Sequence, residues 1–306
     1  MPAGPINTGS HPKLLWPGVH ATWGQVYDQH EKEYPYLYDV MDSDKAYEEE
    51  VQITPFGIAP LKSEGGPVTY DSEVQGATAR YTHLAYSLGY IVTFEELRDN
   101  KYKEVATNRA SANAFSINQT IETVGAFLYN NAFVTTFFLT ADGVALGSTA
   151  HVNATGGTYS NVLSPAADLS EASLEDLTIQ IMGFQDDRGN LISIMPRCLI
   201  VPRQEWYNAN RILKSVLQPD TANNNINVIK ATNTFPEGLH MNHYLTAPHA
   251  WFIRTNAPRG MQMFWRDQPI FDQDNDFDTK NAKASTYLRF SVGATDPRGI
   301  AASNGP

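Results

Sequence analysis

The chain has one cysteine in 306 residues, few basic side chains, and no long apolar run. A lone Cys198 excludes an internal disulfide framework and a cysteine-based zinc site. It lies in the apolar run Arg197 to Val201, which reads as a buried strand, so the thiol is expected to be a core group and not a nucleophile. No apolar run reaches the roughly 20 residues of a membrane helix, and residues 1–12 hold no apolar signal-peptide core. The expectation is a protein made and kept in a cytoplasm, with no membrane partner. Lys and Arg number 22 against 33 Asp and Glu, a net charge of −11. That balance argues against a broad phosphate-gripping surface, because nucleic-acid affinity depends on cations displacing counterions. It favours solubility at high concentration and is compatible with a surface that stands near packed DNA without gripping it. The phosphate loop, the dinucleotide fingerprint and the Gly-x-Ser-x-Gly elbow are also missing. Asp and His are present to complete a serine triad, but nothing nominates a serine. No catalytic residue and no cofactor are assigned.

What is present is a chain with 42% hydrophobic residues, enough for one large or two medium domains. The stretch from Phe94 to Phe133 has no proline and places Ala106, Ala110, Ala114, Ile117, Ile121, Val124, Leu128 and Ala132 at helical spacing. Thr93 and Glu96 form a capping-box signature at its start. A helix of that length would span about 60 Å, with Asp99 and Asn100 marking a break after its first turns. Its opposite face is expected to carry Asn108, Arg109, Asn113, Asn118, Gln119 and Glu122. The residues alone leave two readings open: a stiff spine along a sheet or a neighbouring subunit, and the long core helix of an ordinary enzyme.

Ahead of the spine, residues 1–50 read as an arm. Prolines keep its first part extended, a helix is expected from about His20 to Lys32, and Trp16, Trp23 and Tyr27 are candidates for docking on a neighbour or on the chain's own body. Residues 51–92 read as a long hairpin. Val51 to Thr54 and Val68 to Tyr70 alternate as strands, Lys62 to Pro67 is a turn, and Arg80 to Leu88 alternates again. Such a hairpin is an uncommon ornament for a monomer, because unpaired edges invite association.

Beyond the spine, Val134 to Thr140 is a strand candidate, and acidic residues after Ser170 open a helix at about Ser173 to Phe184. Residues 185–250 alternate a turn at Asp186 to Asn190, a strand at Cys198 to Val201, a helix opened by Pro202, a polar loop from Gln218 to Asn227, and strands at Leu239 to Leu245 and Ala250 to Thr255. Strands are expected at Met261 to Trp265, Ile270 to Phe271 and Thr286 to Val292, with an irregular tail after Asp296. Asp272, Asp274, Asp276 and Asp278 are spaced like the start of a calcium loop, but Phe277 stands where glycine is needed and Lys283 where glutamate is. A solvated strand face is the preferred reading. His240 and His243 would point to opposite faces of a strand, so no metal ligand is assigned.

The order of these parts resembles the major capsid proteins of tailed bacteriophages of the Hong Kong 97 type over about residues 14 to 300. The resemblance rests on Lys62 to Asp71, Leu88 to Thr93, Asn130 to Phe133, Cys198 to Pro202 and Arg289 to Gly293. It implies an α+β fold with an N-terminal arm (1–50), an extended β-hairpin loop (51–92), a peripheral domain carrying the spine helix (93–165 and 256–306) and an axial domain (166–255). It implies hexamers and pentamers that close into an icosahedral shell in the virion, enclosing double-stranded DNA without sequence-specific binding. The implied assembly residues are Lys62, Ser63, Glu64, Gly65, Gly66 and Pro67 at the loop tip, lying across the adjacent subunit; Trp16, Trp23 and Tyr27 on the arm; and Asn223, Asn224 and Asn225 near the capsomer axis. Because the chain starts almost at the arm, a separate scaffolding protein is implied, or a removed segment. Portal and decoration proteins are further partners of the family, and the host bacterial cytoplasm is its place of assembly. Some members cross-link through a lysine of the loop; Lys62 is the hairpin's only lysine, and no cross-link is expected. A bacterial encapsulating cage of the same fold is the alternative within the class. A metal-dependent hydrolase using Asp272 to Asp278 with His240 or His243 is the alternative outside it.

Overall fold

A computed structural model describes residues 16–99, 102–217, 225–276, 278–279 and 281–305. In chain order the elements are α1 (Trp16–Gln29), α2 (Tyr34–Leu37), β1 (Asp39–Asp42), β2 (Tyr47–Ile53), β3 (Gln75–Thr82), β4 (Leu84–Val92), α3 (Phe94–Asp99) and α4 (Tyr102–Asn130). Then come β5 (His151–Val152), β6 (Thr158–Tyr159), α5 (Glu171–Met182), β7 (Pro196–Pro202), α6 (Trp206–Lys214) and α7 (Val228–Ala231). The chain closes with β8 (Gly238–Asn242), β9 (Ala250–Thr255), β10 (Met261–Asn275), β11 (Ala282–Ala294) and β12 (Ile300–Asn304).

Two four-stranded sheets share a core with the spine. The first runs β1-β10-β11-β4 and the second β12-β9-β7-β8. Alternation along the second sheet's strands builds two cores at once, because successive side chains leave opposite faces. Cys198, Ile200, Phe252, Ile300 and Ala302 face a core shared with Ile117, Ile121 and Tyr129 of α4 and with Met263, Trp265 and Leu288 of the first sheet. Leu199, Val201, Trp251, Ile253 and Ala301 face the other way, onto Leu174, Leu177 and Ile181 of α5 and Ala209 and Ile212 of α6. Burial pushes the Cys198 thiol up to about 11, as a core cysteine requires. The fold is α+β, as expected.

Helix is described over α3, Phe94–Asp99, and over the 29 residues of α4, Tyr102–Asn130, which alone span about 44 Å; the break expected at Asp99 and Asn100 falls at residues 100 and 101, outside the described residues. Glu96 N donates to Thr93 Oγ1 at 3.3 Å, but the Glu96 carboxylate does not reach back; it takes Arg109 Nη2 at 2.5 Å. The expected polar face is also wrong in part. Asn113, Asn118 and Glu122 are buried, because the arm covers that side of α4 and their side chains hydrogen-bond to it. Val134 to Thr140 forms turns and no strand: Thr140 Oγ1 bonds locally to Val144 O, an alternative to a ladder.

Other boundaries move for identifiable reasons. Arg80 to Leu88 is broken at His83, whose ring lies between Ser43 Oγ (3.1 Å) and Ser291 Oγ (2.9 Å); β3 pairs with β2, whereas β4 joins the first sheet on β11. Pro202 ends β7 and does not open α6. Met261 to Phe271 is a single strand with register shifts after Trp265 and Asp267, which accommodate Pro269. The tail is ordered: β12 pairs with β9, so residues 300–304 belong to the sheet of 196–255 and the expected division at 256 does not match the pairing. In the Arg289 to Gly293 motif, a Cβ on Gly293 would stand 2.5 Å from the Tyr81 ring, whose hydroxyl bonds to Gln262 and Thr295.

Candidate functional site

Three places were expected to meet other subunits, and the structure treats them differently. The extended loop is a two-stranded ribbon, Tyr47↔Thr82 to Ile53↔Gln75, closed by Thr54 N to Val74 O (3.0 Å). Beyond it no strand continues through 54–74, so Val68 to Tyr70 is not a strand. Pro55, Pro60 and Pro67 explain this: none has an amide to donate to a ladder. Asp71 gathers the loop's base instead. Its carboxylate accepts from Gly57 N (2.7 Å), Ser72 N (2.8 Å) and Arg188 Nη1 (3.0 Å). The Gly57 and Ser72 amides, joined by the Arg188 charge, hold this carboxyl below the usual carboxylate range.

At the tip, Gly66 N donates to Ser63 O (3.1 Å), with Gly65 at φ +75°, a left-handed conformation that favours glycine. Lys62, Ser63, Glu64, Gly65 and Pro67 are exposed and Gly66 half-buried. The sequence reading stopped at this polar turn and missed what flanks it. Phe56, Ile58, Leu61, Val68, Tyr70 and Val74 are exposed, and no core cluster takes a side chain from 55–74. A concentration of uncovered apolar side chains on one segment marks an interaction surface. The signal was in the chain: apolar residues alternating with prolines in Thr54 to Leu61 have neither strand nor helix period.

The arm is the opposite case. Trp23 is only 5% exposed and stacks between Tyr27 (centroids 5.1 Å apart) and Phe271 (5.4 Å), over Ala106, Ala110 and Ala114 of α4. Its Nε1 donates to Asn113 Oδ1 (3.0 Å), which also accepts from Thr286 Oγ1 (2.5 Å). Trp23 and Tyr27 therefore dock on the chain's own body, correcting their assignment as outward contacts; the Trp16 side chain lies outside the described residues.

At the third place, Asn223 and Asn224 lie outside the described residues and Asn225 is exposed. The base of that loop is a bridge between Leu217 and Ile226, with Val216, Leu217, Ile226 and Val228 exposed around it. Buried Asn227 fastens it, donating to Ser215 Oγ (3.0 Å) and accepting from Lys230 N (3.2 Å). Sequence reasoning named the asparagines and missed this apolar collar.

Of the residues weighed for metal chemistry, Asp276, His240 and His243 have other partners. Asp272 and Asp274 are exposed on β10, and Asp276 pairs with Lys283 Nζ at 2.7 Å, the residue that spoils the calcium pattern. His240 stacks on Tyr36 (3.8 Å) and His243 Nδ1 meets Glu33 Oε1. Among the described residues, no group of three His, Cys, Asp or Glu side chains could hold a metal ion. No described helix is long and apolar enough to cross a membrane.

A family model described as phage capsid protein matches residues 76–303. The fold is similar to that of a virus-like particle from Pyrococcus furiosus, at 10% identity, 94% of this chain, 98% of that one and a TM-score of 0.54. It is similar to the capsid of Myoviridae phage XM1, at 11% identity, 87% and 90% coverage and a TM-score of 0.53. Mycobacterium phage Patience matches at 12% identity, 98% and 89% coverage and a TM-score of 0.52. No curated protein matches the chain.

Proposed function

The chain belongs to the phage capsid protein family and is a major capsid protein of the Hong Kong 97-like fold, and from that premise we propose that it closes as hexamers and pentamers into the icosahedral shell of a double-stranded DNA phage. The observation that carries the reading beyond the family is the distal part of the extended loop, residues 55–74, whose large apolar side chains find no cover in their own chain. Laid across an adjacent subunit, Phe56, Ile58 and Leu61 would be buried at about 25 cal/mol per Å² of apolar surface. Contacts of that size are individually weak, which allows correction during assembly, and they sum over a closed shell. The 93–165 and 256–299 segments then form the peripheral unit, and 166–255 with β12 the axial one. Asn223, Asn224 and Asn225, with the collar of Val216 and Ile226, stand toward the capsomer axis. A separate scaffolding protein, a portal and decoration proteins are its further partners, and the host bacterial cytoplasm its place of assembly. The net charge of −11 suits a wall that confines DNA without gripping it.

The test is to sediment the protein from expressing cells, with and without a scaffolding partner, and to image the fast fraction by negative stain. Closed particles of many subunits are expected. Particles recovered from infected cells with DNA inside support the phage shell. Particles that hold protein cargo and no genome support a cage, the second reading, favoured by the likeness to a virus-like particle. A monodisperse 33.9 kDa species under all conditions overturns both.

A further inference from the structure

The arm is zipped onto the spine in parallel. Along one face of α4, Asn113 accepts from Trp23 Nε1, Asn118 Nδ2 donates to Tyr27 O (3.1 Å), Glu122 Oε1 accepts from Glu33 N (2.8 Å), Gly125 O accepts from Tyr38 Oη (2.6 Å), and Tyr129 Oη donates to Leu37 O (2.6 Å). The rungs fall at steps of three to five residues, which is one helix face. The middle rung differs from the others. Glu122 is the only charged residue between Ala110 and Ala141, it is 4% exposed, and its second oxygen, Oε2, is buried with no hydrogen-bond partner. It lies under the joint between α1 and α2, where the backbone turns.

We propose that Glu122 is a proton-operated latch between arm and spine: with the proton on, the α1–α2 joint is seated, and loss of the proton leaves a buried, half-partnered carboxylate that loosens it. The charged and titratable groups around it are Tyr27 of α1; Lys32 and Glu33 in the joint; Tyr34 of α2; and Tyr244 in the loop after β8, where His243 holds the Glu33 carboxylate. Burial pushes the Glu122 carboxyl up, and the Glu33 charge adds to this; the Glu33 and Tyr34 amides and Lys32 pull the other way, leaving it at about 7. The sign follows. A carboxyl raised above its ordinary 4.5 favours the seated joint at low pH, and that contribution is lost as pH rises from about 4.5 through about 7. This latch concerns contacts within one chain and stands whether or not the shell reading does.

The experiment is hydrogen exchange of the whole protein from pH 6 to pH 8, reading peptides within 23–38 against the β7 strand, for the native chain and Glu122→Gln at each pH. Dividing native by variant rates cancels the intrinsic pH dependence. Opening of the joint is expected to rise about tenfold more in the native chain than in Glu122→Gln over that range. Equal pH dependence in the two proteins overturns the proposal. Should Glu122→Gln not fold, Glu33→Gln serves: the Glu33 charge helps to hold the Glu122 proton on, so removing it is expected to move the opening midpoint to lower pH, and an unmoved midpoint overturns the proposal.

Discussion

The extended loop and the arm hold the same kinds of side chain and meet opposite fates. Phe56, Ile58, Leu61 and Tyr70 of the loop stay uncovered, whereas Val19, Trp23, Tyr34, Leu37 and Tyr38 of the arm are buried in their own chain. Composition alone does not separate them; period and partner do. Val19 and Trp23 are four residues apart on α1 and land on Ala106, Ala110 and Ala114, an alanine stripe that lets two helices approach closely. The loop has prolines at 55, 60 and 67, no repeating period, and no facing stripe. Apolar residues with a matching partner in the chain become core, and those without one become a surface for another molecule.

The sharpest way to break this comparison is to remove Ser63 to Thr69. Closed particles should disappear while the circular dichroism and melting of the subunit stay as they were; particles that form normally would remove the loop from assembly. Trp23→Ala attacks the other side. It should lower subunit stability by about 3–5 kcal/mol in denaturant titration, as for a large core aromatic, and a loss under 0.5 kcal/mol would return Trp23 to the class of outward contacts. Asn113→Ala strands the Trp23 indole and the Thr286 hydroxyl without their acceptor and should cost about 1–3 kcal/mol. Leu61→Ser, in the exposed loop, should change subunit stability by less than about 0.5 kcal/mol, yet slow assembly measured by light scattering. Equal assembly rates would confine the contact to other loop residues.

Much of the fold was legible where one force acted alone. The alternation of Cys198 to Val201 and the helical stripe from Ala106 to Ala132 stand in the structure because burial fixed both period and face. The order of parts pointed to the family, which the match over residues 76–303 bears out. Legibility failed where a distant segment decided the outcome. Asn113, Asn118 and Glu122 read only as a polar face opposite the apolar stripe, because their partners, Trp23, Tyr27 and Glu33, lie some 90 positions away. The tail read as irregular because Ile300 to Asn304 is short and gains its ladder only from β9. Polar turn residues drew attention at the loop tip, and the uncovered apolar residues beside them did not, because exposure is a property of the packed molecule.

The strand order of the first sheet has a consequence for biosynthesis. β1 and β4 leave the ribosome within the first 92 residues, but their ladder partners are β10 and β11, which end at Ala294. Until then both lack a sheet, and the edges of a nascent chain stay unpaired. The platform on which the loop and spine are mounted is thus completed near the end of translation. Chains stalled before β11 would carry an apolar loop without the rigid body that aims it, and the fold thereby withholds shell-competent geometry from incomplete subunits.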